Sequence, residues 1–472
     1  MESDPLKEWI VLIPDIEGSL ETRMRVRETH IKEMIKHIDS GLYQMGGGTL
    51  KGDEVGGSAI IARAKTEADV MEVLKSDIYA RSGVWDLDKV QMIPWALHPT
   101  YYKSNSIPSL FSPPPLASLC VLLLIMKSIA IIQQNQSLVL GDVELPPLKE
   151  HQVYVKVEYA AFNPTDRLAI DVNAFGDGAV LGCDFAGTVV EIHRNVTNLQ
   201  TGDQIAGFVW GGEIKGLGAY SAYTIADERL SFKIPDNISA PQASSVPLAA
   251  NTAWLALFSG DCLALSRDSS AKKTPLLIWG GSSAVGIFAI QMAKLYGIEV
   301  VTTCSPQKFE LAKNSGATNV FDYNDPEVVS KIKAAVPDLQ HVFDTIGNAT
   351  SSATAAEAIG GPGGVLCTVR PGKANTENVP STVKVTDVFV FTAFPTEHSY
   401  RGKAHWPVKM EDHKLSSELH GQLESLLGNG SLKPIPIRIL GQLSPSTVEG
   451  AMKANREGRV SREKLVFEGF TE

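Results

Sequence analysis

Cysteine is scarce in this sequence: Cys120, Cys183, Cys262, Cys304 and Cys367 are scattered without the short spacings of a disulfide framework. That usage fits a reducing compartment, and a structural zinc lobe built on four clustered cysteines is excluded. Long apolar runs are missing too. The strongest candidate, 116–125 (LASLCVLLLI), falls well short of the roughly 20 residues that cross a bilayer, so no membrane span is expected. Basic patches are equally absent, since 43 Lys and Arg stand against 53 Asp and Glu for a formal charge of -10. Such a surface repels nucleic acid and anionic lipid. The opening MESDPLKEWIVLIPD is acidic at once and lacks the basic region and long apolar stretch of a secretory leader. A cytoplasmic protein with no nucleic-acid and no membrane partner is the expectation.

What is present is ordinary globular material in quantity: 472 residues, 44% hydrophobic and 20% charged. That length exceeds one core, so two or three domains are expected. Residues 1–98 read as a small α+β unit. A strand over 9–14 precedes a helix over 21–40 with Met24, Ile31, Met34, Ile35 and Ile38 at helical spacing; a strand follows at 57–63. Thr66 with Asp69 three residues on caps a second helix ahead of Val70, Val73 and Leu74, and a strand over 90–93 closes the unit. Residues 99–125 change character, with Ser-Pro-Pro-Pro and a Leu-rich run lacking periodicity, and read as a linker.

From Met126 a new pattern begins. Short strands with glycine turns (153–159, 185–191, 204–209, 219–225) predict a β-rich, barrel-like domain over 126–250, completed by 375–472. Over 251–374 strands and helices alternate: strands at 276–279, 299–303, 319–321, 341–345 and 364–369, helices at 284–296 and 308–315. Strict alternation implies a doubly wound parallel sheet.

The first of those strands runs through Gly280-Gly281-Ser282-Ser283-Ala284-Val285-Gly286 into a helix. Glycines let a backbone approach a diphosphate, and the helix N-terminus offers N–H groups and a positive dipole end. A dinucleotide site is therefore expected at this turn. In an NAD site the second strand ends in an acid for the ribose 2′-hydroxyl. Here it ends in Cys304-Ser305-Pro306-Gln307-Lys308, a hydroxyl and a cation suited to a 2′-phosphate, which favours NADPH.

Several ordered motifs then carry a resemblance: Asn163-Pro164-Thr165-Asp166, Gly182-Cys183-Asp184-Phe185-Ala186-Gly187, the run Thr252 to Phe258, the glycine turn, and Gly458-Arg459-Val460-Ser461-Arg462-Glu463-Lys464-Leu465-Val466. Together they resemble the medium-chain dehydrogenase/reductase superfamily, and within it the zinc-independent fungal trans-acting enoyl reductases of polyketide biosynthesis. The resemblance implies a GroES-like domain beside a Rossmann domain. It places Asn163, Pro164, Thr165 and Asp166 along the cofactor, Ser282, Ser283, Ala284 and Val285 on the diphosphate, and Ser305, Pro306, Gln307, Lys308 and Tyr323 on the adenosine phosphate. Val460 and Ser461 return beside the cofactor. Thr252, Ala253, Trp254, Leu255, Ala256, Leu257, Phe258 and Ser259, with Phe391, Thr392, Ala393, Phe394 and Pro395, would line an acyl pocket. Tyr323 could instead cap a strand, and the 254–258 run could be helix core.

Where zinc dehydrogenases show Gly-His-Glu, this sequence has Gly182-Cys183-Asp184, so no metal is expected. Hydride transfer to the activated double bond of an enoyl thioester then fits better than alcohol or carbonyl chemistry. The partner implied is a polyketide synthase or hybrid synthase carrier protein, the reductase itself being monomer or dimer. A quinone or alkenal reductase of the same fold, and a non-catalytic NADPH-binding partner protein, remain alternatives. No tyrosine is marked out as proton donor. In the N-terminal unit, Arg23, Arg27, His30, Met45-Gly46-Gly47, Gly57-Ser58, Asp77-Ile78-Tyr79 and Gly83-Val84 resemble YCII-related domains, small α+β barrels of ferredoxin-like topology. That likeness implies a His30–Asp77 dyad, for acid/base work or for structure.

Overall fold

Alternating burial builds the first strand, β1 (Lys7–Pro14), in which Trp9, Val11 and Ile13 are buried and their neighbours are not. β1 pairs antiparallel with β3 (Glu54–Ala64) and β4 (Gln91–Trp95), and β2 (Tyr43–Lys51) adds to the far edge of β3. The sheet order is β2-β3-β1-β4. α1 (Leu20–Asp39), α2 (Glu67–Ser76) and the short α3 (Ile78–Arg81) complete the unit. The computed structural model describes residues 7–40, 42–51, 54–95, 126–268, 274–361, 363–400, 404–460 and 463–470. The expected linker at 99–125, its apolar run included, lies outside them.

The Thr66 cap is present as a capping box: Thr66 Oγ1 accepts from Asp69 N at 3.2 Å and Asp69 Oδ2 from Thr66 N at 2.9 Å. Two readings change. β2 was not foreseen, because Gly46-Gly47-Gly48 has poor strand propensity; pairing with β3 overrides it. Part of the apolar stripe of α1 faces outward: Met24, Ile31 and Ile38 are exposed (62%, 40% and 40%), Met34 packs on the core, and Arg23 and His30 turn inward. Those two polar side chains have buried partners waiting, which outweighs the apolar stripe.

The chain forms two compact units, Met1–Leu124 and Ile125–Glu472. In the second, β5 (Met126–Gln134) and β6 (Ser137–Leu145) form a hairpin. β7 (Gln152–Ala161) is followed by α4 (Pro164–Asp171), β8 (Asp184–Ile192), β9 (Gln204–Phe208), β10 (Tyr223–Asp227) and β11 (Ser231–Lys233). Helices α5 (Ala240–Ala243) and α6 (Pro247–Phe258) lead to β12 (Leu276–Trp279), α7 (Ala284–Leu295), β13 (Val300–Cys304), α8 (Phe309–Ser315), β14 (Asn319–Asp322), α9 (Val328–Ala335), β15 (His341–Asp344), α10 (Ser351–Glu357), β16 (Val365–Thr368) and β17 (Lys384–Asp387). After the hairpin β18 (His398–Tyr400) and β19 (Ala404–Trp406) come α11 (Met410–Gly428), β20 (Ile437–Gln442), α12 (Pro445–Arg456) and β21 (Lys464–Glu468).

The strands β12 to β17 form one parallel sheet in the order β14-β13-β12-β15-β16-β17. That is the doubly wound order with a switch point between β12 and β15, where such sheets bind ligands. β17 pairs with β16 beyond the expected boundary at 374, and α11 packs on α6, so the chain rejoins the β-rich sheet only at β20 and β21. That sheet runs β11-β9-β8-β7-β21-β20 with β10 also on β7. The medium-chain dehydrogenase architecture, GroES-like and Rossmann-type parts together, is present. Among the described residues no helix is long and apolar enough to cross a membrane.

Candidate functional site

At the switch point the chain leaves β12 through Gly280, whose φ of +87° suits glycine. A Cβ on Gly281 would lie 1.9 Å from Thr302 Oγ1, and one on Gly286 2.5 Å from Gly280 O, so the turn and α7 approach the sheet more closely than any side chain permits. Ser283 caps α7 by accepting from Gly286 N at 2.9 Å and donates to Thr345 Oγ1 at 2.9 Å. At the end of β15, Asp344 accepts from the N–H groups of Ile346 and Gly347 and from Ser351 and Ser352 at 2.6–3.1 Å, which fixes the neighbouring loop.

These elements surround a cavity of 470 Å³, the size of a cofactor cleft. Its wall takes in Asn163, Pro164, Ser282, Ser283, Ala284, Lys308, Tyr323 and Val460 from the expected set. Thr165, Asp166, Val285, Ser305, Pro306 and Gln307 are not on it, and Ser461 lies outside the described residues. Ser305 to Gln307 form the turn that brings Lys308 to the wall, with Lys308 N–H donating to Ser305 O at 2.8 Å. Sequence reasoning missed Thr303, Asn348, Asn455 and Lys464, which also line the cavity. Cys304 lines it as a thiol that burial pushes up to about 11.

Opposite the glycine turn, a buried polar chain supports Asn163. Its Nδ2 donates to Asp184 Oδ2 at 2.9 Å; Asp184 also accepts from Leu248 N at 2.8 Å and is ion-paired to Lys464. The Lys464 and Asp184 side chains are 4% and 0% exposed. A lysine just ahead of the apolar Leu465-Val466-Phe467 strand was the available signal, since a buried cation requires a buried acid. Asp166 is turned inward: its Oδ2 accepts from Asn163 N and from Tyr220 Oη, each at 2.8 Å, and the Cys183 thiol is a further hydrogen-bond partner. Burial pushes this carboxyl up to about 6, against the opposing pull of its hydrogen bonds with Asn163, Tyr220 and Cys183.

The expected acyl segments fare differently. α6 is buried on every side, and Trp254 Nε1 donates to Leu415 O at 2.9 Å. Thr252, Ala253, Trp254, Ala256, Leu257, Phe258 and Ser259 line neither the cleft nor a second cavity of 300 Å³; the run is helix core, apolar all round because α7 and α11 both cover it. Leu255 and Thr392 do line that second cavity, with Phe389, Trp406 and Asp412. Phe391, Ala393 and Phe394 join Cys183, Phe208 and Trp210 in an apolar cluster, and Pro395 follows it.

In the N-terminal unit, His30 Nδ1 lies 2.8 Å from Asp77 Oδ1, Tyr79 stacks on the imidazole at 3.8 Å, and Trp85 meets its edge. Arg23 is bound by Asp15 and donates to Ser58 at 3.0 Å. Among the described residues, no group of three or more His, Cys, Asp or Glu is placed to hold a metal ion.

Comparison with known proteins gives three family matches: the YCII-related domain over 8–96, the alcohol dehydrogenase GroES-like domain over 149–236, and the zinc-binding dehydrogenase family over 284–405. A trans-enoyl reductase of Alternaria alternata is 32% identical over 342 residues, covering 71% of this chain and 97% of the relative. The enoyl reductase component of lovastatin nonaketide synthase from Aspergillus terreus is 32% identical over 334 residues, covering 68% and 90%. Among solved structures, the CurK enoyl reductase matches with a TM-score of 0.56 at 16% identity, covering 73% of this chain and 99% of that one. The quinone oxidoreductase of Coxiella burnetii matches at 0.54 and 23%, covering 72% and 99%. These likenesses concern the fold alone.

Proposed function

The chain belongs to the trans-enoyl reductases, and from that premise we propose that it transfers a hydride from NADPH to the double bond of an enoyl thioester on a polyketide synthase or hybrid synthase carrier protein, in secondary metabolism. The observation that carries this reading is the cavity at the switch point, where a backbone too close-packed for any Cβ meets the N-terminus of α7. That cradle fits a dinucleotide diphosphate. When bound, the nicotinamide supplies the hydride for the β-carbon of the thioester.

The rest falls to the chain's own residues. Ser282, Ser283 and Ala284 hold the diphosphate. Lys308 meets the 2′-phosphate, with Tyr323 and Ser305 beside it. Asn163, Pro164 and Val460 lie along the nicotinamide half, and Lys464 and Asp184 keep Asn163 in place. The work is positioning and exclusion of water, with charge developing on the thioester oxygen as an enolate. Zinc independence is supported by the Gly182-Cys183-Asp184 run, in which Asp184 is already ion-paired to the buried Lys464 and Cys183 packs among Phe208 and Trp210. In the N-terminal unit, the β2-β3-β1-β4 order supports a ferredoxin-like α+β barrel, and the buried His30–Asp77 pair supports an acid/base dyad of its own.

The test is NADPH oxidation with crotonyl pantetheine thioester, a free enone and a quinone, each with and without chelator. Turnover of the thioester that survives chelation is expected. Faster turnover of the free enone or quinone would move the assignment to an alkenal or quinone reductase, and cofactor binding without any turnover would leave only a binding protein.

A further inference from the structure

Among the described residues, three charged side chains line the cofactor cavity: Lys308, Glu463 and Lys464. Glu463 is ion-paired to Arg438 at 3.0 Å. The two cations come from different halves of the unit. Lys308 stands in the turn after β13 of the parallel sheet, whereas Lys464 opens β21 of the β-rich sheet, with its side chain 4% exposed. A buried ammonium has three N–H groups to place. One goes to Asp184 Oδ2 and one to Ser245 O at 3.3 Å; the third has no hydrogen-bond partner among the described residues. Asn163 uses the same carboxylate oxygen, its Nδ2 donating to Asp184 Oδ2 at 2.9 Å and to Ala161 O at 3.3 Å. Sharing one oxygen sets the ammonium beside the Asn163 amide, and both residues are on the cavity wall. With its N–H groups spent, Asn163 keeps only an acceptor there, so the charged donor of this stretch is Lys464.

Buried ion pairs are often no more stabilising than apolar residues of the same volume. Stability alone therefore does not call for a lysine on the wall of a ligand cavity. The chemistry does. In the reduction, the β-carbon of the thioester accepts the hydride, the electron pair of the double bond moves through the α-carbon onto the thioester oxygen, and the resulting enolate takes a proton at the α-carbon from water. The anion exists only once the hydride has arrived, so a donor aimed at that oxygen favours the transition state over the bound substrate. A charged donor in a buried site is stronger than a neutral amide. Two negative groups then have to be met, the 2′-phosphate and the enolate oxygen, and the wall carries one cation from each half. We propose that Lys464 is a catalytic residue, whose third N–H donates to the thioester oxygen and stabilises the enolate while Asp184 fixes the ammonium beside Asn163. The inference rests on the enoyl reductase reading and deepens it.

The experiment uses the full chain and compares the parent with Lys464→Met and with Lys464→Met combined with Asp184→Asn, which spares the fold an uncompensated buried carboxylate. kcat and KM are measured for crotonyl pantetheine thioester, and NADPH affinity by fluorescence titration. Removing one donor of this kind costs roughly a hundred- to a thousandfold in kcat, and both variants should lose about that much while still binding NADPH. A second readout needs no turnover. Acetoacetyl pantetheine thioester, an enolisable mimic, is bound together with NADP+ and titrated with pH, its enolate being read by ultraviolet absorbance. On the parent it should ionise about two pH units lower than in buffer, a hundredfold preference for the anion; on the variants that shift should vanish, which a merely structural lysine would not bring about. A parent without the shift overturns the inference whatever becomes of the variants. So does a folded variant that keeps either the shift or the parent kcat. Should the parent reduce no enoyl thioester yet show a shift that is lost with Lys464, the reductase reading fails and the anion site stands; normal reduction without the shift has the opposite meaning.

Discussion

The N-terminal unit and the C-terminal cleft both bury charged side chains, but they use them differently. In the first, Arg23 is held by Asp15 and Ser58, and His30 by Asp77 and the stacked Tyr79, so its charged groups are directed at one another. In the second, the Asp184–Lys464 pair holds Asn163 on the wall of a 470 Å³ cavity that Lys464 itself lines. The first network is closed among its own side chains, whereas the second holds Asn163 on the wall of a cavity. The sequence signals for the two, a spaced His and Asp and a glycine turn, look equally suggestive until the cavity is seen.

The largest effect that tests this division comes from Lys464. Lys464→Met leaves Asp184 buried without its cation, which costs about 3–5 kcal/mol, read by chemical denaturation of the C-terminal unit. A loss under 1 kcal/mol would mean the pair is not structural. Next is Asp166. Its folded carboxyl titrates near 6 and the ordinary value is 3.8, so the folded state is penalised above that window and regains stability as the pH falls through it. Two pKa units correspond to about 3 kcal/mol. Asp166→Asn should raise stability at pH 7 by up to that amount and lose the advantage by pH 4; a flat difference between the two would refute the buried, strained carboxylate. His420 has the reverse sign, since burial lowers it to about 4 and its contribution fades as the pH falls from 6.5.

Lys308→Ala should weaken NADPH binding by about ten- to a hundredfold, as a charge-assisted contact of roughly 1.5–3 kcal/mol is lost. NADH affinity should stay level, and added salt should weaken NADPH binding more in the parent than in the variant. Equal losses for both cofactors would assign Lys308 a general structural role. The smallest effect belongs to the other region: Thr66→Ala removes the α2 capping box and should cost about 1 kcal/mol. It should leave NADPH affinity where it was, and a change there would break the division between the units.

Most of the C-terminal fold was legible because its strands are short, apolar and separated by helices of clear period, and glycines mark the turn. The capping box at Thr66 was legible because its chemistry is local. What was hidden depends on distant partners. β2 takes its strand form from β3, and the outward stripe of α1 follows from where Asp15, Ser58 and Asp77 wait for Arg23 and His30. The run Trp254 to Phe258 is apolar enough for a pocket or for a core, and only its neighbours decide. Lys464 was visible as a residue but not as Asp184's counter-ion, because a sheet register joins them across most of the unit.

That register has a consequence for biosynthesis. The edge of β7 away from β8 is covered by β10 over Gln152 to Lys156 and by β21 over Tyr159 to Ala161, and β21 is made only after the whole parallel sheet has been translated. Until β21 leaves the ribosome, Tyr159 to Ala161 of the nascent β7 show a bare edge and Asp184 lacks its cation. Exposed edges of this kind pair with other chains. The emerging polypeptide is therefore most vulnerable to aggregation late in elongation, when the doubly wound sheet already exists and its neighbour still lacks β20 and β21. Slow codons between β17 and β21 would lengthen that interval, and a chaperone that shields open strand edges would be needed most at that stage.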